Sequence, residues 1–165
     1  MTGDRPISRR RMLGTLGVLG VAGATGALTL SVPRRAGAQP FGLQETVQDG
    51  LKRLFGGRPI KDGAGVIKLD VPLIAENGSV VPVSVEVSSP MTANNFVKHI
   101  YIVADQNRIP IIARATLTPE AGQASVGATV RLGETGDVRA IVEQSDGGLL
   151  QVKREVKVTV GGCGG

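Results

Sequence analysis

Alternation of valine with other residue types constrains this chain more than any other feature. Val81, Val83, Val85 and Val87 alternate with Val80, Pro82, Ser84 and Glu86, and Val126, Ala128, Val130 and Leu132 alternate with Ser125, Gly127, Thr129 and Arg131. A period of two puts every second side chain on one face, which is the mark of a half-buried strand and is incompatible with an amphipathic helix. Similar segments at 65–71, 97–104, 111–117, 138–143 and 149–160 bring the expected strands to seven. Turn-forming residues separate them: Glu76-Asn77-Gly78, Ser89-Pro90, Asp105-Gln106-Asn107, Thr118-Pro119-Glu120, Gly133-Glu134 and Ser145-Asp146-Gly147-Gly148. Short β-branched strands at this spacing predict an all-β domain over 61–160, an immunoglobulin-like sandwich, with a small closed barrel as the alternative.

Upstream, Leu43, Val47, Leu51, Leu54 and Phe55 share one face of a helix that Gly56-Gly57 would stop. Residues 39–60 are therefore expected as a helical segment outside the sandwich, covering a sheet edge or lying against a partner. Pro82 cannot donate a ladder hydrogen bond, so its strand is expected at an edge or with a bulge there. The last strand puts Val152, Val156, Val158 and Val160 on one face, and Arg154 interrupts that face, as at a bulge or near an end of the sandwich.

The first 38 residues have a different character. Arg9 and Arg10 follow Ser8 and precede a run without charge from 14 to 32, after which Ala36-Gly37-Ala38 offers the small residues a signal peptidase accepts. Residues 1–38 read as a twin-arginine export signal cleaved after Ala38, and the chain is expected in the periplasm. A retained membrane anchor is the competing reading of residues 12–32, and the glycines, threonines and serine within them argue against it. Beyond residue 38 the chain carries 13 basic and 13 acidic residues, so the net charge of +5 belongs to the leader and implies no nucleic-acid surface.

Export in the folded state suits a protein that meets a cofactor or a partner before it crosses. One cysteine and one histidine cannot assemble a zinc or iron–sulfur set, so no cofactor is expected and a folded partner is the better explanation. The cysteine, Cys163, lies within Gly161-Gly162-Cys163-Gly164-Gly165. Glycines have high backbone entropy and no side chain to pack, so residues 161–165 are expected as a flexible arm. Reckoned from Val160, five extended residues reach at most roughly 16–18 Å. An exposed thiol with a pKa of about 8.5 is only slightly ionised at neutral pH, so this one is suited to activation inside an enzyme that receives it. The competing readings are a disulfide to another chain, making the protein an adaptor, and a carboxyl-terminal thiocarboxylate after Gly164-Gly165, which needs ATP that an exported chain does not meet. No acid, base or metal constellation supports an enzyme in its own right.

Taken together, Leu54-Phe55-Gly56-Gly57-Arg58-Pro59-Ile60, Ile74-Ala75-Glu76-Asn77-Gly78 with Val81-Pro82-Val83, Ser89-Pro90-Met91-Thr92, Ser145-Asp146-Gly147 and Val156-Lys157-Val158-Thr159-Val160 running into the glycine–cysteine tail resemble the SoxY family, sulfur-carrier subunits of thiosulfate oxidation. The resemblance implies that Cys163 carries thiosulfate-derived sulfur covalently, that a SoxZ-like subunit forms a heterodimer with the chain, and that SoxAX-, SoxB- and in some hosts SoxCD-like enzymes act on the cargo. The chain itself would catalyse none of these steps. The 106–110 loop carries little of the resemblance. His99, in mid-strand between apolar neighbours, is expected to be a half-buried structural residue, and Asn77-Gly78 a hairpin turn.

Overall fold

Val81, Val83, Val85 and Val87 are 0, 2, 0 and 6% exposed, while Val80, just outside the strand, is 64% exposed. Each such buried valine contributes about 1.5–3 kcal/mol relative to exposure, so a one-residue slip of register would be ruinous. In a computed structural model that describes residues 45–162, this alternation organises two sheets. The elements are α1 (Val47–Phe55), β1 (Ile60–Asp62), β2 (Ile67–Asp70), β3 (Ile74–Ala75), β4 (Val81–Val87), β5 (Val97–Ala104), β6 (Ile111–Thr116), β7 (Ala124–Val130), β8 (Gly136–Gln144) and β9 (Leu149–Val158), with a 3-10 turn at Pro119–Ala121 between β6 and β7.

The smaller sheet has the order β2-β4-β7 and the larger β1-β9-β8-β5-β6, with β3 also paired to β9. The valines of β4 meet Ile100, Ile102, Val138, Ala140, Val142 and Val156 of the larger sheet in one core. This is an immunoglobulin-like β-sandwich, and all seven expected segments are strands in it. The two additional strands, β1 and β3, are three and two residues long and pair in parallel with opposite ends of β9. They are too short to show a period. Because β1 begins at Ile60, it straddles the expected boundary between helical segment and sandwich.

The expectation for the helix is corrected. α1 covers the outer face of the larger sheet and not an edge: Val47 and Phe55 pack on Tyr101, Val103, Ile141 and Leu149. Phe55 stacks edge-to-face on Tyr101 with centroids 5.2 Å apart. Arg58, whose guanidinium lies 5.8 Å from the Phe55 centroid, bonds Glu143 at 3.0 Å. The helix starts at Val47 because the Thr46 hydroxyl accepts the Asp49 N–H at 3.1 Å, and it ends at Gly56 in the left-handed conformation, φ 61°. The expected start at Leu43 lies outside the described residues.

Two further expectations change. β4 is the central strand of its sheet, with unbroken register to β7, but β2 ends opposite Ser84, so Pro82 has a strand on one side only and disrupts no second ladder. Arg154 causes no bulge: β8 and β9 keep register from Gly136↔Val156 to Glu143↔Leu149, and Arg154 is exposed beside the end of β2. Among the described residues no helix is long and apolar enough to cross a membrane.

Candidate functional site

The chain leaves β9 at Val158 and is held at once. Thr159 N–H donates to Ala75 O at 3.0 Å, Gly78 N–H donates to Val160 O at 2.7 Å, and Gly162 N–H donates to Leu132 O at 2.9 Å. Leu132 N–H in turn donates to Gly78 O at 2.7 Å. Three backbone segments therefore meet face to face, with the Val158 side chain packed beside them. A Cβ on Gly78 would lie 2.8 Å from Gly162 N and closer still to Leu132 O; one on Gly162 would lie 2.7 Å from Gly78 O; one on Gly161 would strike Gly133 O. Glycine is required here for close approach and not for a positive φ. Gly161 and Gly162, expected as the first part of a free arm, are docked on the body of the sandwich, with Gly162 buried. The other expected site residues, Cys163, Gly164 and Gly165, lie outside the described residues, as do Arg9 and Arg10 of the export signal.

The clamp is itself braced. Asn107 is 6% exposed; its amide nitrogen donates to Arg131 O at 2.7 Å and its amide oxygen accepts the Gly133 N–H at 3.0 Å, fixing the segment after β7 that presents Leu132. Behind it, Asp105 chelates the Arg139 guanidinium of β8 through both carboxylate oxygens. That pairing keeps the Arg139 pKa above its ordinary value, chiefly through the side-chain hydrogen bond. The 106–110 loop, uninformative as sequence, thus holds the residue that positions the root of the arm. The Asn77-Gly78 turn links the two sheets instead of closing a hairpin: Asn77 Oδ1 accepts the Ser79 N–H at 2.9 Å, and the chain passes from β3 in one sheet to β4 in the other. One sequence signal pointed here, the occurrence of Asn77-Gly78 next to short apolar stretches on both sides; its partners in space carry no motif.

Around this root four large apolar side chains face solvent: Leu73, Ile74, Val80 and Val160, 61 to 71% exposed. They stand on the segments that the clamp and the β3–β9 pairing bring together. Such a grouping of exposed apolar side chains suits contact with another protein.

His99 lies elsewhere, on the outer face of the larger sheet beyond α1. Arg114 can only donate, and its guanidinium is 3.1 Å from His99 Nε2; that nitrogen is therefore the acceptor, and Nδ1–H donates to the Thr116 hydroxyl at 3.1 Å. Burial and then the Arg114 charge push the His99 pKa below its usual value. The folded state thus prefers neutral His99, a contribution present above about pH 6.5 and lost as the pH falls toward the lowered folded pKa. Thermal denaturation should accordingly show wild-type Tm falling between pH 6.5 and 5, with this component missing from His99→Gln; equal slopes in both proteins would refute the assignment. Among the described residues no group of three or more His, Cys, Asp or Glu is placed to hold a metal ion.

A family model described as sulfur oxidation protein SoxY matches residues 51–163. Among solved structures, the sulfur carrier protein SoxY from Chlorobium limicola f thiosulfatophilum is 31% identical with a TM-score of 0.58, covering 70% of this chain and 97% of that one. A superoxide reductase (neelaredoxin) variant from Ignicoccus hospitalis is 21% identical with a TM-score of 0.51, covering 56% of this chain and 79% of its own. The superoxide reductase from Nanoarchaeum equitans is 14% identical with a TM-score of 0.50, covering 59% and 100%. These two share the fold alone, since identities so low carry no function across a sandwich of this kind. No curated protein sequence matches the chain. The match over 51–163 runs through the clamp to the residue beyond Gly162, and on it the chain belongs to the SoxY family of sulfur oxidation proteins.

Proposed function

We propose that this protein is a periplasmic sulfur carrier that holds thiosulfate-derived intermediates covalently on Cys163 and is passive toward them. The observation that carries the reading is the junction between an anchored backbone and a thiol: Gly162 is buried and its N–H donates to Leu132 O, and the next residue is the only cysteine of the chain. A disulfide linkage to thiosulfate forms when the Cys163 thiolate and the sulfane sulfur of thiosulfate are joined with loss of two electrons. A SoxAX-like enzyme would take those electrons. Hydrolysis of the terminal S–SO3 bond by a SoxB-like enzyme then consumes one water and releases sulfate, leaving a persulfide on Cys163. A SoxCD-like enzyme, where the host has one, would oxidise the remaining sulfane sulfur in place. The apolar rim of Leu73, Ile74, Val80 and Val160 supports docking of these enzymes close to the thiol. The leader with Arg9 and Arg10 supports export of the folded chain with a SoxZ-like subunit as heterodimer partner, cleavage following Ala38.

Intact and peptide mass spectrometry tests the reading. Protein from thiosulfate-grown cells is expected to carry thiol-labile additions on the peptide containing Cys163, about 32 Da for each sulfane sulfur and about 112 Da for the thiosulfonate. Unmodified thiol throughout, or a disulfide dimer as the active form, would eliminate it; the dimer would favour an adaptor cross-linked through Cys163.

A further inference from the structure

Asparagine occurs at 77, 94, 95 and 107, and Asn77 alone is followed by glycine. With no side chain to shield it, a glycine nitrogen is the one best able to attack the side-chain carbonyl of a preceding asparagine. The clamp does not allow that glycine to be exchanged, because a Cβ at 78 would lie 2.8 Å from Gly162 N and nearer still to Leu132 O. Asn77 is exposed, so water reaches its amide, whereas Gly78 is buried. The hydrogen bonds divide in the same way. Asn77 Oδ1 accepts the Ser79 N–H at 2.9 Å, which keeps the side-chain carbonyl turned toward the backbone that follows and polarises it. A carboxylate would accept that bond equally, so the bond gives no reason for an amide at this position. Against attack stands the Gly78 N–H, which donates to Val160 O at 2.7 Å, while Gly78 O accepts the Leu132 N–H at 2.7 Å. The nucleophilic nitrogen is thus tied to the root of the arm.

We propose that Asn77 is a deamidation site gated by the docked root of the arm, and that its modification releases that root in turn. Attack requires Gly78 N to lose its proton and swing toward Asn77 Cγ, and the bond to Val160 O opposes both. When residues 160–162 lift, the nitrogen is free. The bond from Gly78 N to Asn77 Cγ then forms, the Cγ–Nδ2 bond breaks and ammonia leaves, giving a succinimide. One water opens that ring at either carbonyl to give aspartate or isoaspartate, with nothing oxidised or reduced. Isoaspartate carries the main chain through Cβ and lengthens it by a methylene just before Gly78. The clamp leaves no room for such a change, since its bonds at Gly78 and Gly162 are 2.7 to 2.9 Å long and each joins backbone to backbone. Displacing Gly78 breaks its bonds to Val160 and Leu132 together. The modification is therefore a one-way record of the time the root has spent undocked. The gating stands on the clamp alone, and its effect on delivery of Cys163 rests on the carrier reading.

The test ages the exported chain, with Cys163 reduced, in warm and mildly alkaline buffer and follows it by peptide mass spectrometry. Deamidation adds about 1 Da, and electron-based fragmentation separates isoaspartate from aspartate. Folded wild type is expected to convert Asn77 at least about tenfold more slowly than a synthetic peptide of residues 73–82, because reaction waits on local opening. Gly161→Val drives the root off through Gly133, the described residue that a Cβ there would meet, and truncation after Val158 removes the Val160 acceptor outright. Each is expected to speed conversion of Asn77 at least about tenfold over wild type. Asn94 reports on the rest of the fold, and its conversion should stay at the wild-type rate; a variant that accelerates both positions has unfolded, and the comparison of wild type with peptide then decides. In aged wild type, the isoaspartate fraction is expected to lose hydrogen-exchange protection at the Gly162 and Leu132 amides while the unmodified fraction keeps it. Equal Asn77 rates in wild type and peptide, or in wild type and a folded variant, would overturn the gating. Protection retained in the isoaspartate form would overturn the release. Neither result touches the carrier reading, which fails separately if Cys163 never bears a sulfur adduct.

Discussion

Cys163→Ser is expected to reduce thiosulfate-dependent turnover in a reconstituted system to the background seen without the protein. The reason is the bond required. A sulfane sulfur can be held on a thiol as a disulfide or persulfide and released by hydrolysis or exchange, whereas a serine hydroxyl forms no equivalent redox-labile linkage with it. The substitution exchanges one sulfur atom for oxygen and leaves the Gly162 N–H to Leu132 O bond in place, so Tm is expected to stay close to that of wild type. Assays of oxidised sulfur product, together with a melting curve, check both halves. Retained turnover in Cys163→Ser would falsify the carrier function directly.

Gly78→Val should produce the second large effect, and by a different route. Its side chain would have to occupy space already filled by Leu132 O, Gly162 N and Val158 Cγ1, the last two within 2.9 Å of a Cβ, and two of the three are backbone atoms that cannot rotate away. Overfilling of this kind costs about 1–3 kcal/mol, a fall in Tm of roughly 5–15 °C for a domain of this size. The cheapest relief is for residues 161–162 to peel off, because they are held through the Gly162 N–H bond to Leu132 O, whereas Leu132 is braced by Asn107 through Arg131 and Gly133. We therefore expect a folded protein whose thiol still reacts with small disulfides at the wild-type rate but whose delivery to partner enzymes is slowed at least about tenfold, since a 1 Å misplacement can cost that much or more. Asn107→Ala should show a weaker form of the same split, through loss of two hydrogen bonds and a buried amide. Wild-type delivery kinetics in Gly78→Val would show that docking of Gly162 is irrelevant to the cycle.

The sandwich was legible because its strands are long enough to display a period. Val81, Val83, Val85 and Val87 announce their face without knowledge of any partner. β1 and β3 were illegible because three and two residues cannot show alternation; they exist by pairing with β9, whose position in space is a tertiary fact. α1 was legible as a helix, but its destination was not: the amphipathic face says that something apolar is covered, and only the outward-facing Tyr101, Val103 and Ile141 of a sheet with two apolar faces identify what. At the site, Cys163 stood out by its glycine surroundings. Asn107 did not, because a polar residue in a loop ordinarily signals exposure, and its burial depends on main-chain atoms 24 and 26 positions away.

Pinning Gly162 turns covalent geometry into a ruler. A sulfur atom one residue past a fixed Cα can stand no farther than about 6–7 Å from it, whatever torsions the chain adopts. An enzyme with a shallow mouth can process cargo at that height while the clamp stays shut; one with a deep channel must first pull Gly161 and Gly162 away, and each residue so freed adds about 3.5 Å. The depth of each visiting enzyme's channel would then sort the visitors into those that read the carrier at rest and those that must unfasten it. Inserting a glycine between Gly162 and Cys163 would blur that distinction without touching a contact among the described residues.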